Sequence, residues 1–337
     1  MKAIGYQTPQ EIEAETALVD IELPKPQPLG RDILVEVKAI SVNPVDTKVR
    51  ASRQPKDGAW EVLGYDAAGV VAEVGPDTKF FKPGDAVFYA GAINRSGTNA
   101  QFHLVDERIV GTKPDTLDFA SAAALPLTSI TAYEALLERL DVKRPVPGAA
   151  NAIVIIGGAG GVGSIAIQIA RALTDLTVIA TASRPETQAW VQDLGAHHVI
   201  DHRQPIAPQI KALGIGQPGF VFSTTNTDDH IPDIVELLAP QGRFGLIDDP
   251  KELNAAPLKS KSISLHWELM FTRSLFGTAD IERQHELLDE VSKLVDAGKI
   301  KTTLAENFGA INAENLKRAH ALVESGKSKG KVVLSGF

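Results

Sequence analysis

The chain has 337 residues, 44% apolar and 23% charged, with a formal net charge of −8. That length exceeds what one core usually serves, so two domains are expected, and a mildly acidic surface without a basic stretch argues against a nucleic-acid partner read through its backbone. There are no cysteines, which removes disulfides, thiolate catalysis and any Cys-based zinc site. The opening MKAIGYQTPQ lacks the apolar core of a signal peptide, and no apolar run is long enough to span a bilayer. The expectation is a cytoplasmic protein without a membrane partner.

Residues 1 to about 128 read as β-rich. Strands are predicted at Lys2–Gln7, Ile33–Ile40, Gly69–Val74, Ala86–Ala90, Ala100–Val105 and Arg108–Val110, with Gly/Pro turns between several of them, the pattern of a small barrel. Phe119–Leu125 and Ser129–Leu140 carry helical patterning, interrupted at Pro126. Ala152–Ile156 is fully apolar, as in a parallel strand buried on both faces, and runs into a glycine turn and an apolar helix ending near Leu173. Gly158, Gly160 and Gly163 form G-x-G-x-x-G. In that motif the first glycine permits the tight turn, the second lets the backbone approach a pyrophosphate, and the third lets the helix pack on its strand. With Ala159, Gly161 and Val162 they make a dinucleotide cradle at a helix N-terminus, where unpaired N–H groups favour phosphate.

Strands and helices then alternate: strands at Thr177–Thr181, His198–Asp201, Phe220–Ser223, Arg243–Ile247 and Ile263–Leu269, and a helix at Asp229–Leu238, which is a doubly wound α/β sheet. A further helix is expected with Ser183 at its N-cap and Glu186 three residues on, closed by Gly195. The tail has helices at Ala279–Ala297 and Ala313–Glu324 and a strand at Lys331–Leu334. It reads as a return to the first domain, giving 1–128 with 272–337 and, between them, 129–271.

Thr181-Ala182-Ser183-Arg184 ends the second strand with no acid before Glu186. NAD sites place a carboxylate here for the ribose 2′-hydroxyl. A hydroxyl and a guanidinium, Ser183 and Arg184, suit a 2′-phosphate, so NADPH is the expected cofactor. The Lys327–Lys331 run reads as a loop or a phosphate contact.

Five segments in order, Asn43-Pro44-Val45-Asp46, Gly64–Val71, Phe81–Val87, Leu127–Ala135 and the glycine turn, resemble the medium-chain dehydrogenase/reductase superfamily. The likeness covers nearly the whole chain and points to the zinc-free quinone oxidoreductase-like branch, although whole-chain similarity is closest to proteins labelled as a zinc-binding alcohol dehydrogenase family. The resemblance implies a GroES-like barrel beside the doubly wound domain, with the site in the cleft between them. Where zinc-dependent relatives carry Gly-His-Glu, this chain has Gly64-Tyr65-Asp66, and seven of its eight histidines lie at or after His197. No metal is expected.

By the same resemblance Asn43 lies beside the nicotinamide and Thr131 contacts the cofactor. His202 stands where relatives carry a tyrosine near the 2′-phosphate, and Lys331 stands in a Gly-Lys near the phosphates. The plain alternatives are that Asn43 braces its turn, Thr131 is a helix residue, and His202 and Lys331 are solvated. Tyr65 replaces the metal ligand, where its phenol donates to substrate oxygen or merely packs; Asp46 and Asp66 read as structural. A carbonyl reduced to an alkoxide needs strong charge stabilisation, usually from a metal or a dedicated acid. Without one, hydride delivery to a quinone or to the conjugated carbon of an enone or enal fits best. The other readings are an NADPH-binding protein with a structural or RNA-binding role, and an alcohol dehydrogenase of the zinc type. The apolar Ile263–Phe276 stretch resembles an edge that relatives pair across a two-fold axis, so a homodimer is expected.

Overall fold

Asp32–Val42 is long, apolar and buried along most of its length, and it organises the first of two units in this computed structural model, which describes residues 1–337 apart from the side chain of Asp57. One unit comprises Met1–Ile130, Phe271–Gly298 and Thr302–Phe337; the other comprises Thr131–Met270 and Lys299–Lys301.

In the first unit Asp32–Val42 pairs antiparallel with Asp66–Val74 along its length. Its other edge is shared, the start pairing with Phe102–Asp106 and the end with Lys331–Ser335. Ala86–Ala90, Val110–Thr112 and Leu304–Asn307 complete the sheet. A smaller sheet joins Val19–Glu22, Lys2–Tyr6 and Glu61–Val62. Apolar side chains from both chain termini, among them Ile4, Ile33, Val35, Leu316 and Val332, meet in one core.

The second unit holds a six-stranded parallel sheet: β1 (Ala150–Ile156), β2 (Thr177–Thr181), β3 (His198–Ile200), β4 (Pro218–Ser223), β5 (Arg243–Leu246) and β6 (Ser264–Trp267). Their order is β3-β2-β1-β4-β5-β6, so the direction of winding reverses between β1 and β4. Doubly wound sheets bind ligands at the carboxyl ends of the strands at such a reversal.

Several expectations shift. Arg108–Val110 is not a strand: the Asp106 carboxylate accepts the Arg108 N–H at 3.0 Å and caps a 3-10 turn over Glu107–Ile109 before the chain re-enters the sheet. Pro126 opens a helix (Pro126–Tyr133) rather than interrupting one, and that helix passes into a π-helical turn, Glu134–Arg139. Ser183 is not an N-cap. Pro185 takes the first helical position and moves the frame by one, so Arg184 caps and its N–H is accepted by the Thr187 hydroxyl at 3.2 Å. The apolar run after Ile263 is a strand for only four residues, because its partner β5 ends at Leu246, opposite Trp267; a short helix follows at Thr272–Phe276. The short helices Pro44–Ser52 and Ile206–Ala212 were not expected.

Glu107 is fully buried. It accepts the backbone N–H groups of Lys79 and Phe80, at 2.9 and 2.7 Å, and the Arg31 guanidinium at 2.7 Å. Truncation leaves those donors without an acceptor, so Glu107→Ala should lower the unfolding free energy by about 3 kcal/mol. Breaking the solvent-facing Lys82–Asp85 pair with Lys82→Ala should change it by under about 1 kcal/mol. Urea unfolding of both variants checks the contrast.

Candidate functional site

In the turn after β1, Gly157 has φ +79° and makes the tight bend, a task expected of Gly158. Gly158 is constrained differently: a Cβ there would stand 2.9 Å from the Ala180 Cβ. At Gly163 a Cβ would meet the Gly157 carbonyl oxygen at 2.2 Å, so the helix packs as closely as expected. Gly160 differs, because the nearest atom to a Cβ there is 3.4 Å away. Packing within the protein does not demand this glycine; a ligand lying on the backbone would. The Gly161–Leu173 helix starts here, and its first N–H groups, at Gly161, Val162 and Gly163, have no partner within the helix. N–H groups so placed can hold an anion.

Thr181, at the end of β2, braces this turn. Its hydroxyl accepts the Gly157 N–H at 3.0 Å and its carbonyl accepts the Gly158 N–H at 3.1 Å. The same hydroxyl lies 3.1 Å from His202 Nδ1. Beyond β2, the Arg184 Nε meets a Glu186 carboxylate oxygen at 3.1 Å, both side chains being largely solvent-facing. A pair so exposed is weak and open to exchange. Thr131 is buried on its helix, and Thr224 and Asn226, neither anticipated, follow β4 at the sheet's reversal, Asn226 with φ +50°. A Cβ on Gly157 would lie 2.4 Å from the Thr224 hydroxyl, so that loop packs on the turn.

The other expected residues gather in the first unit. Asn43, at the N-cap of Pro44–Ser52, is 1% exposed. Its backbone N–H donates to Asp46 at 2.7 Å, its side-chain amide donates to Asp66 at 2.8 Å, and its oxygen accepts from Lys331. The Lys331 ammonium, 3% exposed, donates also to Asp66 at 2.9 Å and to the Val42 carbonyl at 3.1 Å. An ammonium has three hydrogens, and all three are engaged, which leaves none for a phosphate. Lys331 is therefore a buried counter-ion and not solvated. Asp66 takes the Leu127 N–H at 2.7 Å with its other oxygen. Asp46 also accepts the Gly64 N–H, at 3.1 Å, and so ties the Asn43 turn to Gly64-Tyr65-Asp66.

Tyr65 is 1% exposed, its ring edge-on to Phe271 with centroids 5.1 Å apart. Among the described residues its hydroxyl has no hydrogen-bond partner of good geometry. Burial first, then the Asp46 charge, push this phenol far above its usual range, with Arg53 opposing. It is a donor and not a base. A second acidic pair, not anticipated, lies in the other unit: Glu134 on the π-helical turn and Glu268 after β6, with Arg139 Nε 2.8 Å from Glu268. Burial first, then the nearby Glu134, raise the Glu268 carboxyl strongly, with Arg139 opposing.

Residues 30–118 match the family description Alcohol dehydrogenase GroES-like domain, and 194–334 match Zinc-binding dehydrogenase. A zinc-type alcohol dehydrogenase-like protein of Staphylococcus aureus is 42% identical over 339 residues, covering 99% of this chain and 100% of its own. The chain belongs to the medium-chain dehydrogenase/reductase superfamily. A crystal structure of a Rhizobium etli protein named after the zinc-dependent alcohol dehydrogenases is 66% identical, with TM-score 0.99, covering 100% of this chain and 98% of that one. A quinone oxidoreductase of Lama guanicoe is 30% identical over 322 residues, 94% of this chain and 91% of its own. This member of the superfamily is an oxidoreductase with a GroES-like domain and a doubly wound parallel sheet, and the superfamily uses nicotinamide cofactors.

The zinc in three of those names does not fit the donor set of this superfamily member. The chain has no cysteine, and Asp66 is held on Lys331, Asn43 and Leu127. No group of three His, Cys, Asp or Glu among the described residues could hold a metal ion.

The Asp46 carboxyl is pushed up to about 7, chiefly by burial and also by Asp66, against the bonds from Asn43 and Gly64 and the Lys331 charge. Its folded value lies above its unfolded one, so its contribution is greatest below about pH 4 and is lost as pH rises through 7. Asp46→Asn lacks that contribution, so it should destabilise more at pH 5 than at pH 8, by about 2 kcal/mol difference. Equal losses in urea unfolding at the two pH values would contradict this assignment.

Proposed function

We propose that this chain is a zinc-independent, NADPH-dependent reductase that delivers hydride to a quinone or to the conjugated carbon of an enone or enal. The observation that carries the reading is Tyr65: at the position of a metal ligand in relatives stands an uncharged phenol whose O–H lacks a partner. The quinone oxidoreductase relative supports the substrate class.

NADPH, when bound, supplies the hydride. The Gly158–Gly163 turn and the N–H groups of Gly161 and Val162 hold its pyrophosphate, with Thr131 as a further contact. Arg184 and Ser183 take the 2′-phosphate, Arg184 by exchanging Glu186 for it. Tyr65 donates its O–H to the substrate oxygen as negative charge develops there. In a hydroquinone or enolate that charge is delocalised, so one neutral donor suffices where an alkoxide would need a metal. Asn43 and Asp46 position Tyr65 by fixing the Gly64 backbone, and the Lys331–Asp66 pair holds Asn43. We further propose a cytoplasmic homodimer, paired through the open edge of β6, where Trp267 is 52% exposed.

NADPH should bind more tightly than NADH, and Arg184→Ala should weaken NADPH selectively, by roughly tenfold to a hundredfold. Equal affinities in the unmutated protein sink the cofactor reading. An α,β-unsaturated ketone should yield the saturated ketone with its carbonyl intact, unaffected by prolonged chelation, and Tyr65→Phe should slow turnover by about tenfold to a hundredfold. Formation of an allylic alcohol would overturn the reaction class.

A further inference from the structure

The sequence treats His202 as one contact among several, but the structure ties it to the glycine turn. Thr181 is fully buried, so its hydroxyl hydrogen needs an acceptor. The oxygen already accepts from Gly157 N–H, and the acceptor in reach of the hydrogen is His202 Nδ1. Neutral His202 is therefore protonated on Nε2 and presents an N–H donor. Nδ1 is occupied by the Thr181 hydroxyl, and protonating it requires that hydroxyl to turn from donor to acceptor.

The surroundings keep the ring neutral in the free protein. His202 is half-buried at the end of β3, and burial first, then His230 and Arg203, hold its titration below the usual histidine range, against the pull of Asp201. Asp201 is engaged by the Arg203 side chain at 2.7 Å. His230, on the Thr227–Leu237 helix, is itself lowered by burial, with Asp229, Asp233 and Asp248 opposing. Two of those acids are engaged by backbone N–H groups: Asp233 by Ile206 and Ala207, both at 3.0 Å, and Asp248 by Thr227 at 2.9 Å. No carboxylate among the described residues is hydrogen-bonded to the His202 ring.

We infer that His202 is a proton-linked specificity residue: NADPH binds with uptake of a proton onto His202, whereas NADH binds without it. The inference rests on the NADPH reading above. The end of β2 is where a doubly wound domain meets the ribose 2′-position, and Thr181 joins His202 to that end. A 2′-phosphate dianion there stabilises the imidazolium, so the proton comes from solvent, goes to Nδ1, and stays while the phosphate is bound. A 2′-hydroxyl offers no such charge. Thr181, bonded to both Gly157 and His202, is the positioning residue that couples this proton to the shape of the pyrophosphate turn.

The test compares NADPH and NADH binding to the unmutated protein and to His202→Gln between pH 8.5 and 6.5, where the 2′-phosphate stays mainly dianionic. Affinity is read by fluorescence titration. Proton uptake is read by calorimetry in phosphate-free buffers of differing ionisation heat. Expected are a roughly threefold to tenfold tightening of NADPH as pH falls across that range, a flat NADH profile and net proton uptake with NADPH alone. His202→Gln should lose both the slope and the uptake while NADPH remains the tighter ligand at pH 8.5. Parallel pH slopes for the two cofactors overturn the inference, as does uptake that persists in His202→Gln. The first of these needs no variant. If NADPH and NADH bind equally at every pH, the cofactor reading itself falls. A pH-independent preference for NADPH overturns only the proton linkage.

Discussion

Two buried carboxylates, Asp46 and Asp66, sit near one buried ammonium, Lys331, and much of the first unit depends on how that charge is balanced. Removing an ion from water is expensive unless its partners are close and its remaining hydrogen-bonding capacity is filled. Here both conditions hold. Lys331 has three acceptors, and each Asp66 oxygen has at least one donor. Asp46 is the less compensated of the two, and protonation near neutrality relieves it. The balance fixes the backbone on either side of Tyr65, which holds its phenol edge-on to Phe271.

The second unit uses a different economy of atoms. One threonine hydroxyl and the carbonyl beside it hold two consecutive amides of the glycine turn, so the turn's shape is set by the end of the neighbouring strand and not by the turn alone. Gly157, Gly158 and Gly163 answer to contacts inside the protein. Gly160 answers to none closer than 3.4 Å, so folding alone does not call for a glycine there.

Legibility in the sequence followed sequence distance. The glycine turn, the strand before it and the helix after it are local, and their chemistry could be read from thirty or so consecutive letters. Asn43 and Asp46 are also local, three residues apart, and their reading as a braced turn and a structural acid was open from the start. Lys331 and Asp66 are 265 residues apart, and no pattern in either neighbourhood announces the other, so the sequence alone offers Lys331 as a phosphate contact or a solvated residue. The misplaced cap at Ser183 had a visible signal in Pro185, which favours the first helical position. The overlong edge strand had none, because its length is set by where β5 stops.

The first unit is assembled from both ends of the chain. Lys331–Ser335 pairs with Ala39–Val42, and the ammonium that neutralises Asp66 arrives on that same strand. During synthesis from the N-terminus, Asp66 and Asn43 leave the ribosome long before their counter-ion exists. The parallel sheet, by contrast, is complete in sequence once Trp267 has emerged. Domains fold as units as they appear, which makes the second unit the earlier to mature. The N-terminal strands must wait, with an uncompensated acid and an open edge, until Lys331–Ser335 has been made. A ribosome stalled short of Lys331 therefore carries one finished domain and one that is not yet able to close.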